Sequence, residues 1–268
     1  MPELPEVEYA AGQLRDRVVG QTIVVATACH PAQARRLPPA DLLALAGEAI
    51  DRVERRAKVQ LIHLASGAIL EVHFRMTGDW HFTAVTEAPP ALERFRLETR
   101  EGLRVSLVDP RALSVVRLHR AGTFTPIDAG PEPLTDAFTV AGFHAALTRR
   151  RGPIKPVLLD QHVVAGVGNI YASEALWEAR IHPATPANRL RTARITRLHD
   201  AIRRVLSTAS PERYYERPER TGDAEEAIDD RWQVYGREGE SCRRCHSPIK
   251  RIVQAGRSTY YCGLCQRR

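Results

Sequence analysis

Four cysteines near the end of the chain constrain its fold more than any other feature. Cys242 and Cys245 form one Cys-x-x-Cys pair and Cys262 and Cys265 a second, with only residues 246–261 between them. In a reducing compartment such clustering reads as metal ligation rather than as disulfides. Two knuckles joined by a hairpin grip a tetrahedral ion from both sides, and an all-thiolate shell leaves no coordination position open. One structural zinc per chain is therefore expected. Cations crowd the same stretch: Arg243, Arg244, Lys250, Arg251 and Arg257. The fifth cysteine, Cys29, stands apart and is expected as a buried free thiol.

Ahead of the cysteines the hydrophobic period changes once. Val7, Ala10, Ala11, Leu14 and Val18 predict an amphipathic helix over 6–18. Strand-like runs follow at 22–27, 59–64, 68–74, 96–99, 103–108 and 115–118, interrupted by one helical stretch at 40–46. Residues 1–125 thus read as a β-sandwich flanked by helices. The proline-rich stretch 126–133 reads as a linker. Beyond it, 138–151, 154–159, 173–180 and 191–208 carry helical spacing, which makes 134–231 a helical domain and 232–268 the finger. The charged stretch 210–230 is expected as a mobile loop. The fold class is α+β in two domains.

A chain of 268 residues with formal charge +7 favours a polyanionic partner. No run approaches the roughly twenty apolar residues of a membrane span, and the N-terminus lacks a signal-peptide layout; a cytosolic protein without membrane contact is expected. The turn Val163-Val164-Ala165-Gly166-Val167-Gly168-Asn169 joins two helical patterns, and a helix start of this kind aims backbone N–H groups at phosphate. Arg149, Arg150, Arg151 and Lys155 lie just upstream. Removal of Met1 would leave Pro2 as a free secondary amine, which titrates near neutrality, with the Glu3 carboxyl adjacent for proton transfer.

Other stretches extend the pattern: Pro2-Glu3-Leu4-Pro5-Glu6-Val7-Glu8, Arg55-Arg56-Ala57-Lys58, His73-Phe74-Arg75-Met76-Thr77-Gly78, Asp109-Pro110-Arg111, Gly130-Pro131-Glu132-Pro133-Leu134, Ile154-Lys155-Pro156, Gly166-Val167-Gly168-Asn169-Ile170-Tyr171-Ala172-Ser173-Glu174, Val234-Tyr235-Gly236-Arg237 and Arg257-Ser258-Thr259-Tyr260-Tyr261-Cys262. Together they resemble the formamidopyrimidine-DNA glycosylase/endonuclease VIII family nearly end to end. The opening is closer to the formamidopyrimidine branch.

The resemblance implies an N-terminal β-sandwich, a helix-two-turn-helix module and a zinc finger. It also implies base-excision repair of damaged double-stranded DNA by a monomer in the bacterial cytosol or nucleoid. Pro2 would attack the sugar of an extruded nucleotide and expel an oxidised or ring-opened base. The resulting iminium would then promote β,δ-elimination. Glu3, Lys58 and Arg257 would complete the catalytic set. His73, Met76, Arg111, Leu113, Arg150, Lys155, Asn169 and Tyr235 would contact DNA, with Glu6 and Glu174 lining a base pocket.

Three departures matter. Ala112-Leu113-Ser114 stands where the family usually has Arg-Phe-Gly, Leu92 stands where many relatives carry a phosphate-contacting histidine, and 210–230 replaces a glycine- and threonine-rich loop that caps the base. Two other readings stay open: the same chemistry directed mainly at oxidised pyrimidines or abasic sites, as in endonuclease VIII, and a DNA-binding relative without catalysis.

Overall fold

The structure, a computed structural model, describes residues 1–212 and 231–268; the expected loop at 210–230 lies, from 213 on, outside the described residues. Over the described residues two compact units form, Met1–Ile127 with 211–212, and Asp128–Ser210 with 231–268.

The first unit runs α1 (Leu4–Val18), β1 (Ile23–Thr27), α2 (Pro31–Ala34), α3 (Pro39–Ala44), β2 (Ile50–Arg56), β3 (Val59–Leu64), β4 (Ile69–His73), β5 (Asp79–Ala84), β6 (Glu93–Thr99), β7 (Leu103–Val108) and β8 (Val115–His119). The strands make two antiparallel sheets, β1-β6-β7-β5 and β2-β3-β4-β8. Both feed one core: Phe95, Leu97, Val105 and Leu107 from the first sheet, Val53, Ile62, Leu70 and Val116 from the second, and Ala10, Ala11, Leu14 and Val18 from α1. Each large aliphatic or aromatic side chain buried there contributes roughly 1.5–3 kcal/mol. Phe74 meets Trp80 edge-to-face at 5.7 Å.

The helix α1 starts two residues earlier than its apolar period predicts, because Glu3 serves as N-cap and its N–H donates to Glu6 Oε2 at 2.9 Å. Pro5 fits the first turn, where no helical N–H is needed. Strand β2 has no counterpart in the sequence reading: only Ile50 and Val53 are apolar and buried, and the charges between them mask the alternation. It folds back onto β3 through a tight turn at Ala57-Lys58, with Ala57 at φ 53°. The segment after β8 is not a plain tether, since Phe124 and Ile127 cover Val59, Leu61 and Ile69 on the outer face of the second sheet. Cys29 is exposed, contrary to expectation. Its place just beyond edge strand β1 leaves its thiol at the surface, 3.1 Å from Glu93 Oε2.

The second unit contains α4 (Val140–Thr148), α5 (Ile154–Leu158), α6 (Asn169–Glu178), α7 (Thr192–Ser207) and the hairpin β9 (Ile249–Gln254) and β10 (Arg257–Cys262). Helix α6 begins at Asn169 rather than 173. Gly166, at φ 79°, reverses the chain and Gly168 caps the helix. Residues Tyr171 to Trp177 are all buried, so α6 shows no polar face from which its start could be read. No helix among the described residues is long and apolar enough to cross a membrane.

Gly130 closes the approach to α4, its N–H bonded to Gln161 O at 2.8 Å. A Cβ there would stand 2.5 Å from the His162 carbonyl oxygen, a rigid backbone atom. Gly130→Ala is expected to cost about 1–3 kcal/mol, read as a lowered melting temperature. Gly12→Ala, in α1 with nothing within 4 Å, is expected to be neutral or to stabilise by up to about 1 kcal/mol. Equal melting temperatures for the two variants would refute the close approach.

Candidate functional site

In the first unit, the N-cap geometry of α1 fixes Pro2 and Glu3, both buried, with Glu3 1% exposed. Glu6, 3% exposed, spends one carboxylate oxygen on the Glu3 N–H, so it orients the N-terminal pair before it can line any pocket. Lys58 sits half-buried on the β2–β3 turn. Its charge reaches His73: burial first, then Arg75, Lys58 and Arg117, push that imidazole down to about 4. His73 is therefore neutral at neutral pH. Its Nδ1 accepts from the Arg75 N–H at 2.9 Å, which leaves the proton on Nε2 as a donor.

Met76, Arg111 and Leu113 are all exposed, Met76 at 37% and Leu113 at 43%. Core packing is thus not the role of either apolar side chain. The residue that gathers all three is Asp109, itself fully buried. Its carboxylate accepts from the Thr77 hydroxyl beside Met76, from Arg111 N at 3.2 Å, and from Leu113 N and Ser114 N at 2.7 Å each. Its own N–H donates to Leu92 O, and its carbonyl accepts from Arg94 Nε at 2.7 Å. Gln33 ties the far side through Ser114 O and Val116 N. Burial alone would raise the Asp109 pKa. The Thr77 hydroxyl and the N–H donors outweigh it and hold the carboxyl below the usual carboxylate range. Sequence reasoning quoted Asp109 without giving it a role, and it missed Gln33 and Arg94. The usable signal was an aspartate placed directly after a strand and followed by proline.

In the second unit, Lys155 and Asn169 come together, but turned inward. Lys155 is 1% exposed, and its Nζ donates to Asn169 Oδ1 at 2.6 Å, Thr259 Oγ1 at 2.8 Å and Ser258 O at 2.9 Å. Asn169 Nδ2 donates to Ser258 O at 3.1 Å. The pair locks α5, the start of α6 and β10 together and keeps a positive charge beneath the α6 N-terminus. Arg257 follows the Ala255-Gly256 reversal, both of whose residues have positive φ, and is exposed at the tip of the hairpin. Arg150 pairs with Asp160 at 2.8 Å. Glu174, expected in a base pocket, is buried with both oxygens engaged: Oε2 by Gln233 N, Oε1 by Val234 N and Tyr235 N, all within 3.0 Å. It holds the turn that carries Tyr235, whose ring meets Tyr260 edge-on at 5.2 Å.

The four cysteine sulfurs lie within 4.8 Å of one another, against roughly 3.8 Å between thiolates bound tetrahedrally to zinc. The Ser247 hydroxyl and N–H hold Cys245 down at about 6, whereas burial and the neighbouring cysteines push Cys265 up to about 12. Four sulfurs this close cannot all ionise by themselves, and a dication relieves that conflict. The residues present suit one closed, structural zinc, held by Cys242, Cys245, Cys262 and Cys265.

Comparison with known proteins places these features in a family. Residues 1–116 match the model of the formamidopyrimidine-DNA glycosylase N-terminal domain, 129–212 that of the formamidopyrimidine-DNA glycosylase H2TH domain, and 239–268 that of a zinc finger found in FPG and IleRS. A formamidopyrimidine-DNA glycosylase of Chloroflexus aggregans is 42% identical over 275 residues, covering 99% of this chain and 98% of the relative. One of Thermus thermophilus is 38% identical over 278 residues, covering 99% and 98%. Among solved structures, a MutM complex with DNA containing carbocyclic 8-oxo-G superposes with a TM-score of 0.89 at 32% identity, covering both chains fully. The Lactococcus lactis glycosylase non-covalently bound to DNA containing an AP site gives 0.86 at 30% identity, covering 99% of this chain and all of the other.

Two outcomes are expected. Asp109→Asn, which keeps the shape but loses the charge, should cost about 1–3 kcal/mol and speed hydrogen exchange at the Leu113 and Ser114 amides. Because the folded carboxyl titrates below its unfolded value, the Asp109 contribution is complete above about pH 3.9 and is lost as pH falls through the folded pKa; the variant should lack this acid-dependent component. Exchange unchanged in the variant would count against the role of Asp109. Separately, elemental analysis should find one zinc per chain. Chelation should abolish the near-ultraviolet signal of Trp177 and Tyr260, which pack in the finger core. Metal-free protein retaining that signal would overturn the structural role.

Proposed function

The chain belongs to the formamidopyrimidine-DNA glycosylase family and is a DNA glycosylase and abasic-site lyase of base excision repair, and we propose that Pro2 is its nucleophile. The observation that carries the proposal is the N-cap geometry of α1. Pro2 and Glu3 are buried side by side at a helix start, and the Glu3 backbone is pinned by Glu6. With Met1 removed, the secondary amine lies at the positive end of α1. That field disfavours its protonated form and enlarges the nucleophilic fraction at neutral pH.

The amine attacks C1′ of an extruded nucleotide as the base departs, and Glu3 delivers a proton to the opening sugar. The nitrogen becomes an iminium, which withdraws electrons and acidifies the C2′ hydrogens. Loss of a C2′ proton expels the 3′ phosphate, and a second elimination expels the 5′ phosphate. Lys58 and Arg257 bind phosphate at the lesion. His73 adds a neutral N–H donor, and the α6 start, with Lys155 beneath it, offers backbone N–H groups to the strand. Met76, Arg111 and Leu113, held through Asp109, enter the duplex where the nucleotide has left. The partner is damaged double-stranded DNA, engaged by a monomer in the cytosol.

Leu113 bears on specificity. A leucine fills the vacated space but stacks on the opposite bases less well than an aromatic ring, so discrimination of the base opposite the lesion is weaker than a phenylalanine would give.

Borohydride should trap the iminium as a permanent protein–DNA adduct on an abasic duplex. Pro2→Gly, or a chain that retains Met1, should lose nearly all trapping while still binding the duplex. Undiminished trapping would mean that another amine, such as a lysine, is the nucleophile.

A further inference from the structure

Six arginines, Arg180, Arg194, Arg197, Arg244, Arg267 and Arg268, line an open concavity of about 700 Å³ in the second unit, beside Cys245, Cys265 and Leu264. Among the described residues no aspartate or glutamate side chain lines it. Local anions account for part of this charge only. A zinc with four thiolates carries two net negative charges. Glu178 pairs with Arg244 at 3.4 Å, but it also pairs with Arg204 at 2.6 Å. Arg244 is further occupied by the Trp177 ring, 3.9 Å away, and by the Trp177 carbonyl. Arg194 donates to a neutral acceptor, the Arg267 carbonyl, at 2.8 Å. Arg180 and Arg197 are exposed and have no side-chain ion pair among the described residues. The uncompensated field is felt nearby: burial and then the Arg197 charge lower the Arg194 pKa, and burial, Arg268 and Lys250 lower that of His182.

This concavity is not the cradle built around Lys155. Helix α6 runs from Asn169, at the cradle, to Glu178, just before Arg180, a length of roughly 15 Å. Strand β10 runs from Thr259, at the cradle, to Cys262, on the way to Cys265, over roughly 10 Å. Both elements leave the cradle and end at the arginines.

We propose that this concavity is a second phosphate-binding site, which takes the backbone of a second DNA segment while the first occupies the lesion site. The proposal rests on the DNA-repair reading for the identity of the ligand. Every cation is arginine, whose planar fork matches phosphate oxygens two at a time. Leu264 is the one apolar side chain on the lining, so an acidic peptide would find no set of apolar pockets to fix its side chains. A chain holding two segments can pass directly from one to the other during a search for damage.

The test uses zinc-loaded, full-length protein saturated with a duplex bearing a non-cleavable tetrahydrofuran abasic analogue. A labelled undamaged duplex is then added and its anisotropy followed. The wild type should capture the labelled duplex. Arg180→Ser with Arg197→Ser, both at exposed positions, should weaken that capture at least tenfold, and the slope of log K against log salt should fall by about 0.9 for each phosphate that the variant no longer neutralises. Zinc content and affinity for the analogue duplex should stay unchanged. The idea is overturned if saturated wild type captures no labelled duplex, if the double variant captures it equally well, or if polyglutamate displaces the label more effectively than inorganic polyphosphate of equal charge. Borohydride trapping on an abasic duplex reports separately on the catalytic reading, so failure of one leaves the other standing.

Discussion

A buried ammonium organises the second unit. Removing Lys155 from solvent carries a desolvation penalty of several kcal/mol, and three neutral oxygens, from Asn169, Ser258 and Thr259, must replace its hydration shell. Each oxygen comes from an element with other work to do: Asn169 opens α6, and Ser258 and Thr259 belong to the strand that begins with Arg257. The charge thus fixes the register of a helix start against a hairpin. Its field also adds to that of the helix end, where backbone N–H groups already favour an anion.

The first unit solves a related problem with the opposite sign. Met76, Arg111 and Leu113 project from the surface, and projecting loops have few contacts to hold them. One buried carboxylate, Asp109, replaces the missing packing by bonding both loops from beneath. Glu174 does the same for the turn bearing Tyr235. In each case a buried carboxyl group serves as a fixture for neighbours that are more open to solvent.

This division explains what could be read from the sequence. The cysteine spacing, the strand run 59–64 and the helix of α7 were legible because each rests on local chemistry or a local period. Strand β2 was not, since its charged majority faces outward and only pairing with β3 defines it. The inward turn of Lys155 was hidden because a lysine beside three arginines reads as a surface charge. Its acceptors Ser258 and Thr259 lie about a hundred residues away in the chain, a separation that no periodicity reports. Cys29 was misplaced because small thiols are usually buried, and nothing local marks a chain leaving an edge strand.

The finger's sulfurs are unequal in one more way. Cys242 and Cys262 are buried, whereas Cys245 and Cys265 are partly open to solvent. Thiolates reachable by small oxidants climb from sulfenic to sulfinic acid, and a sulfur so altered no longer holds zinc as before. A DNA-repair enzyme therefore carries, in its own metal centre, two cysteines that small oxidants would reach before the two buried ones.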